Sequence, residues 1–471
     1  MSATLDKVVQ LATELAAELP GTGLGRTADT IARAAHDPLR LAIAGRMKAG
    51  KSTLLNALVG EALAATDAAE CTRVVTMYRA GTVRRATVVR RDGSAVGARL
   101  QRGAGGVDID LDGILTSDIR RLDVEWPARA LDTWTLVDTP GLGSVNVDIS
   151  RRGVELIAEA DAEEAVDAVL YLTHHVHPGD WRFLTAFHDD AGVRPDPACA
   201  VAVLSRSDEV GGGRADALEL ATDAARRHSA DPAVRRYCQT VVPVAGLLAQ
   251  GATALTDAQY RLIARLATDS TADDALLTAD RFATRMDVAG TDATARADVL
   301  GAIGLFGVRT SVELVRSGSI SSATALAAAL RHRSGLDRLT DLVHDQFLAR
   351  RDALRARAAI RSLRAALERW DGPSERATMA LERIESEDHE LTELAVLAAA
   401  RAGDLRLRDA ELADLELQLG TDLVLSARGE LLAALDRWRS RSEHPLTRPP
   451  EVAAAQIVAR SIERRLMSVN A

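Results

Sequence analysis

Gly45-Arg46-Met47-Lys48-Ala49-Gly50-Lys51-Ser52-Thr53 fits GxxxxGK[ST], the phosphate-binding loop, with Gly45, Gly50, Lys51 and Ser52 at the fixed positions. The glycines let the backbone wrap so closely that its N–H groups face phosphate oxygens. Lys51 adds a compact cation, and the Ser52 hydroxyl is of the type that ligates Mg²⁺. Residues 39–44 ahead of the loop read as a short buried strand, and residues 52–59 after it as a helix whose positive N-terminus meets the phosphates. Only three lysines, Lys7, Lys48 and Lys51, stand among fifty-eight basic residues. Arginine has replaced lysine elsewhere, so lysine survives where a point charge suits the chemistry better than a planar guanidinium.

The length of 471 residues predicts two or three domains. A net charge of −9 leaves no basic excess to displace counterions, which argues against a nucleic-acid partner. Cys71, Cys199 and Cys238 are isolated, without the spacing of a zinc site or a disulfide framework. The N-terminal stretch 2–19 is amphipathic and acidic, unlike a secretory signal. Nowhere do eighteen apolar residues run together, so no membrane span is expected.

Three segments narrow the class of the phosphate loop. The apolar strand 134–137 ends in Asp138-Thr-Pro-Gly141. A DxxG at a strand's carboxyl end sets Asp138 to hold a water on Mg²⁺ and the Gly141 N–H to sense a γ-phosphate. The run 200–204 ends in Ser205-Arg206-Ser207-Asp208, where Asp208 would accept from guanine N1–H and N2–H and so select GTP over ATP. Arg206, in a position usually lysine, is expected to lay its guanidinium along the base. A third strand, within 240–246, leads into a small-residue turn in which Ala245 closes over the base by backbone contacts. With the apolar run 168–172, these strands alternate with helices as a parallel, doubly wound sheet requires. Between the two phosphate motifs, Thr66, Thr72 and Thr76 are eligible to reach Mg²⁺ and the γ-phosphate, with Thr72 the best placed at the end of a loop.

The P-loop followed by Asn56-Ala-Leu58, the Cys71-Thr-Arg73 segment, Asp138-Thr-Pro-Gly-Leu-Gly143 and the Ser205-Arg-Ser-Asp208 variant together resemble the bacterial dynamin-like GTPases. The resemblance spans roughly residues 36–318 and extends loosely beyond, through Gly304-Leu-Phe-Gly-Val-Arg309 and Ser334-Gly-Leu-Asp-Arg-Leu339. It implies a GTPase domain over 36–318, a neck helix in 1–35 and a helical neck and stalk over 319–471. The expected activity is Mg²⁺-dependent hydrolysis of GTP to GDP and phosphate, coupled to fission or fusion of membrane at the cytoplasmic face of the plasma membrane. The implied partners are anionic lipids and a second GTPase domain, with pairing to a paralogous dynamin-like chain left open. Leu142 follows the DxxG glycine where signalling GTPases carry a water-orienting glutamine, so hydrolysis needs help from elsewhere. Lys48 stands where some relatives hold an internal arginine finger, and it is the candidate to stabilise charge between the β- and γ-phosphates.

Beyond residue 320 the chain changes character. Apolar residues recur at helical spacing over 336–370, 374–402, 405–441 and 451–468, with breaks at Asp371-Gly-Pro373, Gly403 and Arg448-Pro-Pro450. An antiparallel bundle follows, with the N-terminal helix 2–19 expected against the C-terminal one. A lipid-contacting tip is expected near 398–408, far from the GTPase, through Arg401, Arg406 and Arg408. Gly304-Leu-Phe-Gly307 is a rival insertion loop, better explained by buried packing. A second class of function stays open: a soluble GTP-dependent switch or assembly factor whose bundle binds a protein and no lipid.

Overall fold

The computed structural model describes residues 3–64, 74–103, 106–140, 165–174, 197–270, 272–285, 288–420 and 428–468. Among them, ten strands form one mixed sheet in the order β10-β9-β8-β1-β7-β2-β6-β3-β4-β5. These are β1 (Leu39–Gly45), β2 (Thr76–Ala80), β3 (Arg85–Arg90), β4 (Ala95–Gly103), β5 (Gly106–Asp110), β6 (Ile119–Trp126), β7 (Trp134–Asp138), β8 (Ala168–Thr173), β9 (Ala200–Ser205) and β10 (Val241–Val244). From β10 across to β7 every pairing is parallel. Those strands are apolar runs with both faces covered, the pattern that a buried parallel sheet demands. β7 to β2 is antiparallel, and beyond it β6, β3, β4 and β5 extend the sheet chiefly by antiparallel pairing. This extension, inserted between the two phosphate motifs, was not foreseen from the sequence.

Parallel register places the functional ends together. Ile43 of β1 lies beside Asp138 of β7, and Gly45 lies beside Leu172 of β8. In the same way β9 ends at Ser205 beside Val244 of β10. All these strands therefore finish at one edge of the sheet, where open α/β sheets bind ligands.

One face of the sheet packs on α3 (Lys51–Val59), on the helix Leu336–Val343 and on Phe347 and Leu354. The other packs on the helix Ala217–Ala230. The packing of this first face thus continues past residue 318. The helix Ala293–Arg316 is kinked at Gly304, and Phe306 and Val308 are buried in a cluster with Leu248, so the Gly304–Gly307 stretch is packed rather than offered to a surface.

The helical remainder departs from the sequence reading in four ways. The N-terminal helix α1 (Ala3–Glu18) and α2 (Gly23–Ala34) bury Leu5, Val8 and Ile31 against Ile360, Leu363, Leu381 and Ile384. Its partners are thus the helices Arg351–Glu368 and Glu375–Glu387 and not the last helix, whose Ala455, Val458 and Ile462 are taken by the C-terminal cluster. The stretch read as one helix over 336–370 is interrupted by a π turn at His344–Leu348. The stretch read as one helix over 374–402 breaks at Asp388, whose carboxylate caps the next helix by accepting from the Glu390 and Leu391 amides.

The fourth departure concerns the expected tip. The helix His389–Ala402 lies against Pro197–Cys199 and Pro232–Arg235 of the sheet domain, so residues 398–402 are close to that domain, not remote from it. Arg401 is 9% exposed and bonded through Nε to Glu416 at 3.0 Å, which removes it as a headgroup contact. Arg406 and Arg408 are exposed, the latter paired with Glu411 at 2.9 Å. No helix among the described residues is long and apolar enough to cross a membrane.

Candidate nucleotide-binding site

The P-loop is shaped by backbone that side chains resist. Gly45 has φ +150°, and a Cβ there would sit 2.5 Å from the Leu172 carbonyl oxygen, so only glycine passes this close to β8. Gly50, at φ +89°, turns the chain into α3 without a side-chain cap, which leaves the first amides of the helix for an anion. Lys48 is a non-glycine residue held at φ +61°. Its side chain is exposed, as is Met47 at 56%, while Ala49 is buried.

Lys51 Nζ donates to the carbonyls of Gly45 and Arg46, both at 3.3 Å, so the ammonium lies folded back under the loop. Burial lowers its pKa, opposed by the charge of Asp138. Asp138 is buried, and its carboxyl is pushed up to about 6, chiefly by burial, with Lys51 and a hydrogen bond from Ser52 pulling it down. Its Oδ1 has no hydrogen-bond partner among the described residues. The Thr139 hydroxyl donates to the Ile43 carbonyl at 3.1 Å and ties the turn after β7 to β1.

An orphaned carboxylate oxygen next to a serine hydroxyl and an ammonium suits a small divalent cation with oxygen ligands. Ser52 and Asp138 are the described residues that would hold Mg²⁺. Thr72 and Gly141, the other candidates for sensing metal and γ-phosphate, lie outside the described residues, as does Leu142.

The pKa of Asp138 has a testable consequence. In an unfolded chain this carboxyl titrates near 4, so between about pH 4 and pH 6 the ligand-free folded state holds a proton that the unfolded state has lost. Stability should therefore fall as pH rises through that window, and cation with nucleotide should restore it. Thermal melts of wild type and Asp138→Asn across the window, with and without Mg²⁺ and a non-hydrolysable GTP analogue, check this. A difference between the two proteins that does not change with pH sinks it.

The segment expected to recognise the base meets the P-loop directly. A cavity of about 260 Å³ is lined by Gly50, Thr53 and Leu54 at the start of the P-loop helix, by Ser205 at the end of β9 with Arg206 and Asp208 beyond it, and by Val244 at the end of β10 with Gly246 and Leu247 beyond it. Ser205 is buried and donates to the Thr173 carbonyl at 3.2 Å, fixing the end of β9 to β8. Asp208 is half-buried, and burial raises its pKa. Ala245 is buried, its amide donating to the Ser334 carbonyl at 2.8 Å, and it precedes the helix Gly246–Thr253.

Arg206 has a contact that the sequence reading lacked. Held at φ +51°, it donates from Nη2 to the Lys48 carbonyl at 3.0 Å and from Nη1 to Glu209 at 3.3 Å. The guanidinium thus bridges the cavity wall to the P-loop at its left-handed residue. The apolar walls at Leu172, Val203 and Leu247 were also missed, and their signal was positional: two close the C-terminal halves of predicted strands and one follows such a strand.

The dynamin family profile matches residues 41–192, which begin in β1 and run past the DxxG. The isoniazid-induced protein IniC of Mycobacterium tuberculosis is 36% identical over 459 residues, covering 94% of this chain and 93% of its own. A bacterial dynamin-like protein of Nostoc punctiforme shares 46% identity over 56 residues, 12% of this chain and 8% of that one. A solved chain from an oligomerised bacterial dynamin pair aligns over 99% of this chain and 75% of its own at 13% identity and a TM-score of 0.38, too loose to carry weight. On its full-length kinship to IniC and the profile match over the phosphate motifs, the chain belongs to the dynamin family.

Proposed function

We propose that this chain binds GTP with Mg²⁺ in the cleft at the strand ends, hydrolyses it to GDP and phosphate, and couples turnover to remodelling of membrane from the cytoplasmic side. The observation that carries the first two steps is the cavity lined together by the P-loop, Asp208 and the start of the helix Gly246–Thr253. The free amides at the start of α3 and the Lys51 ammonium bind the β- and γ-phosphates. Asp208 accepts from the guanine edge, and Arg206 holds the P-loop in register with it. Ser52, Asp138 and Thr72 would hold Mg²⁺, which would neutralise charge on the phosphate oxygens. Lys48 adds the cation that Leu142 cannot replace.

Asp208→Asn tests the assignment. Losing a pair of charge-assisted hydrogen bonds to N1–H and N2–H should cut the kcat/KM preference for GTP over ATP by about 10²-fold. Unchanged discrimination would place guanine recognition elsewhere.

The membrane step rests on family kinship. Met47, an exposed apolar side chain at the mouth of the P-loop, suits a face that meets a second GTPase domain. Arg406 and Arg408 remain the proposed contacts for anionic lipid, without Arg401. The soluble switch gains from the burial of Arg401 against the sheet domain, since that leaves less of the expected tip exposed. Co-sedimentation with anionic liposomes, wild type against an Arg406→Glu/Arg408→Glu variant, separates the readings. Pelleting of the wild type alone supports membrane contact, and no pelleting of either favours the switch.

A further inference from the structure

Asp208 is aimed by backbone alone. It sits in the short turn Ser207–Gly212 after β9, and among the described residues no other side chain hydrogen-bonds its carboxylate. The turn runs out through Gly211, Gly212 and Gly213, held at φ +63°, +79° and +68°. Three left-handed glycines in a row have no side chains to pack and lose more freedom on ordering than other residues, so something outside the run must fix it. The end of the run also bears on its start: a Cβ on Gly213 would stand 3.4 Å from the Asp208 carbonyl oxygen.

The group that fixes it is Arg309. Its Nη1 donates to the Gly213 carbonyl at 3.0 Å, while Nε and Nη2 donate to the carbonyls of Leu276 and Leu277, both at 2.8 Å. Leu276 is buried in the cluster around Phe282 and Ile303, so the fork ties the glycine run to a packed core. A planar guanidinium suits this task, because its donors are spread in a fixed plane and can span acceptors from separate segments. Gly213 closes the Asp208 turn, and a cation at such an end suits the carbonyls left over there. The same helix, Ala293–Arg316, also backs the Leu247 wall of the cavity. A Cβ on Gly304 would stand 3.4 Å from Leu247, and one on Gly307 would meet Leu248 at 2.8 Å. One helix thus braces both the Asp208 turn and the wall that faces the base.

We propose that Arg309 is a positioning residue for guanine: it pins the Gly213 end of the turn to the core while Arg206 fixes the other end to the P-loop, and so sets the Asp208 carboxylate where it meets both N1–H and N2–H. Arg309 takes this role only if Asp208 is the guanine acceptor, the reading proposed above. It does not line the cavity, so it acts through the turn and on the base, not on the phosphates.

The test is equilibrium binding of GDP and of inosine diphosphate, whose base lacks the 2-amino group, so hydrolysis does not enter. Wild type should prefer GDP by about 10-fold or more, the worth of one charge-assisted hydrogen bond, and Asp208→Ala should bring the two within about 3-fold. Arg309→Met should weaken GDP by about 10-fold and inosine diphosphate by no more than about 3-fold, so that the preference shrinks with the carboxylate still present. Equal weakening of both, with the preference kept, is what a merely structural arginine gives; it overturns the positioning role and leaves Asp208 its own. Where Arg309→Met does not fold, Arg309→Gln carries the same test, since one donor nitrogen cannot span Gly213 and Leu276, and a wild-type preference there overturns the role too. A wild type that binds the two alike, or a preference that survives Asp208→Ala, sinks Asp208 as the base reader and Arg309 with it.

Discussion

Lys51→Ala is expected to lower GTP turnover by about 10²–10³-fold or more, the scale seen when a single preorganised transition-state donor is removed. The ammonium is the half-buried cation of the P-loop, folded under it by the Gly45 and Arg46 carbonyls and facing the Asp138 charge. Phosphate oxygens would exchange for those two carbonyls without moving the charge far. The site is therefore preorganised, and most of the effect should fall on chemistry as well as on binding. Lys48 is different. It is exposed on a left-handed residue whose carbonyl, not its side chain, is held by Arg206. Lys48→Ala should leave nucleotide affinity within a few-fold and reduce turnover only under conditions of self-association, by about 10-fold. Single-turnover kinetics over a range of protein concentrations, with analogue binding measured alongside, separate the two lysines. Stimulated turnover intact in Lys48→Ala would remove it from the chemistry.

The parallel half of the sheet was legible because its strands are covered on both faces and read as unbroken apolar runs. β1, β7 and β9 each carry their polar motif at or just past the last apolar residue. The distal strands were not legible. β3 alternates Ala86 and Val88 inward with Arg85 and Thr87 outward, a weak pattern in a chain rich in arginine. Helical spacing announced that α1 buries a stripe, yet nothing in that stripe names its partner; the match to Ile360 and Leu363 is a matter of three-dimensional fit. Arg401 misled for a related reason. Arginine near a helix end is exposed by default, and here an acid on the next helix and a turn of the sheet domain cover it. Arg206 was expected along the base, and its reach to the Lys48 carbonyl depends on a left-handed backbone that sequence alone does not announce.

The largest loss of stability is expected at Arg355, far from the nucleotide. Its guanidinium is 8% exposed and paired at 2.7 Å with Asp167, itself 3% exposed. It also donates to the carbonyls of Ala34, Asp37 and Pro38 at 2.7–2.8 Å. Asp167 in turn accepts from the Arg40 amide at 2.8 Å. One side chain of the helix Arg351–Glu368 thus closes the end of α2, the entry to β1 and the entry to β8. Removing one partner of a buried pair leaves the other charged and dry, a loss of about 3–5 kcal/mol. Arg355→Met should fall in that range by urea unfolding, with the carbonyls left unsatisfied adding to it. In Arg355→Met/Asp167→Asn the Arg355–Asp167 pair is removed together, the buried Arg40 guanidinium keeps Asp37 at 3.3 Å, and the asparagine oxygen can still accept from the Arg40 amide. The double variant should therefore be less damaged than the sum of the two singles by about 1–3 kcal/mol. Loss of less than about 1 kcal/mol in Arg355→Met, or strict additivity in the cycle, would show that this joint is solvated and not the weld between the N-terminal helices and the sheet that its geometry describes.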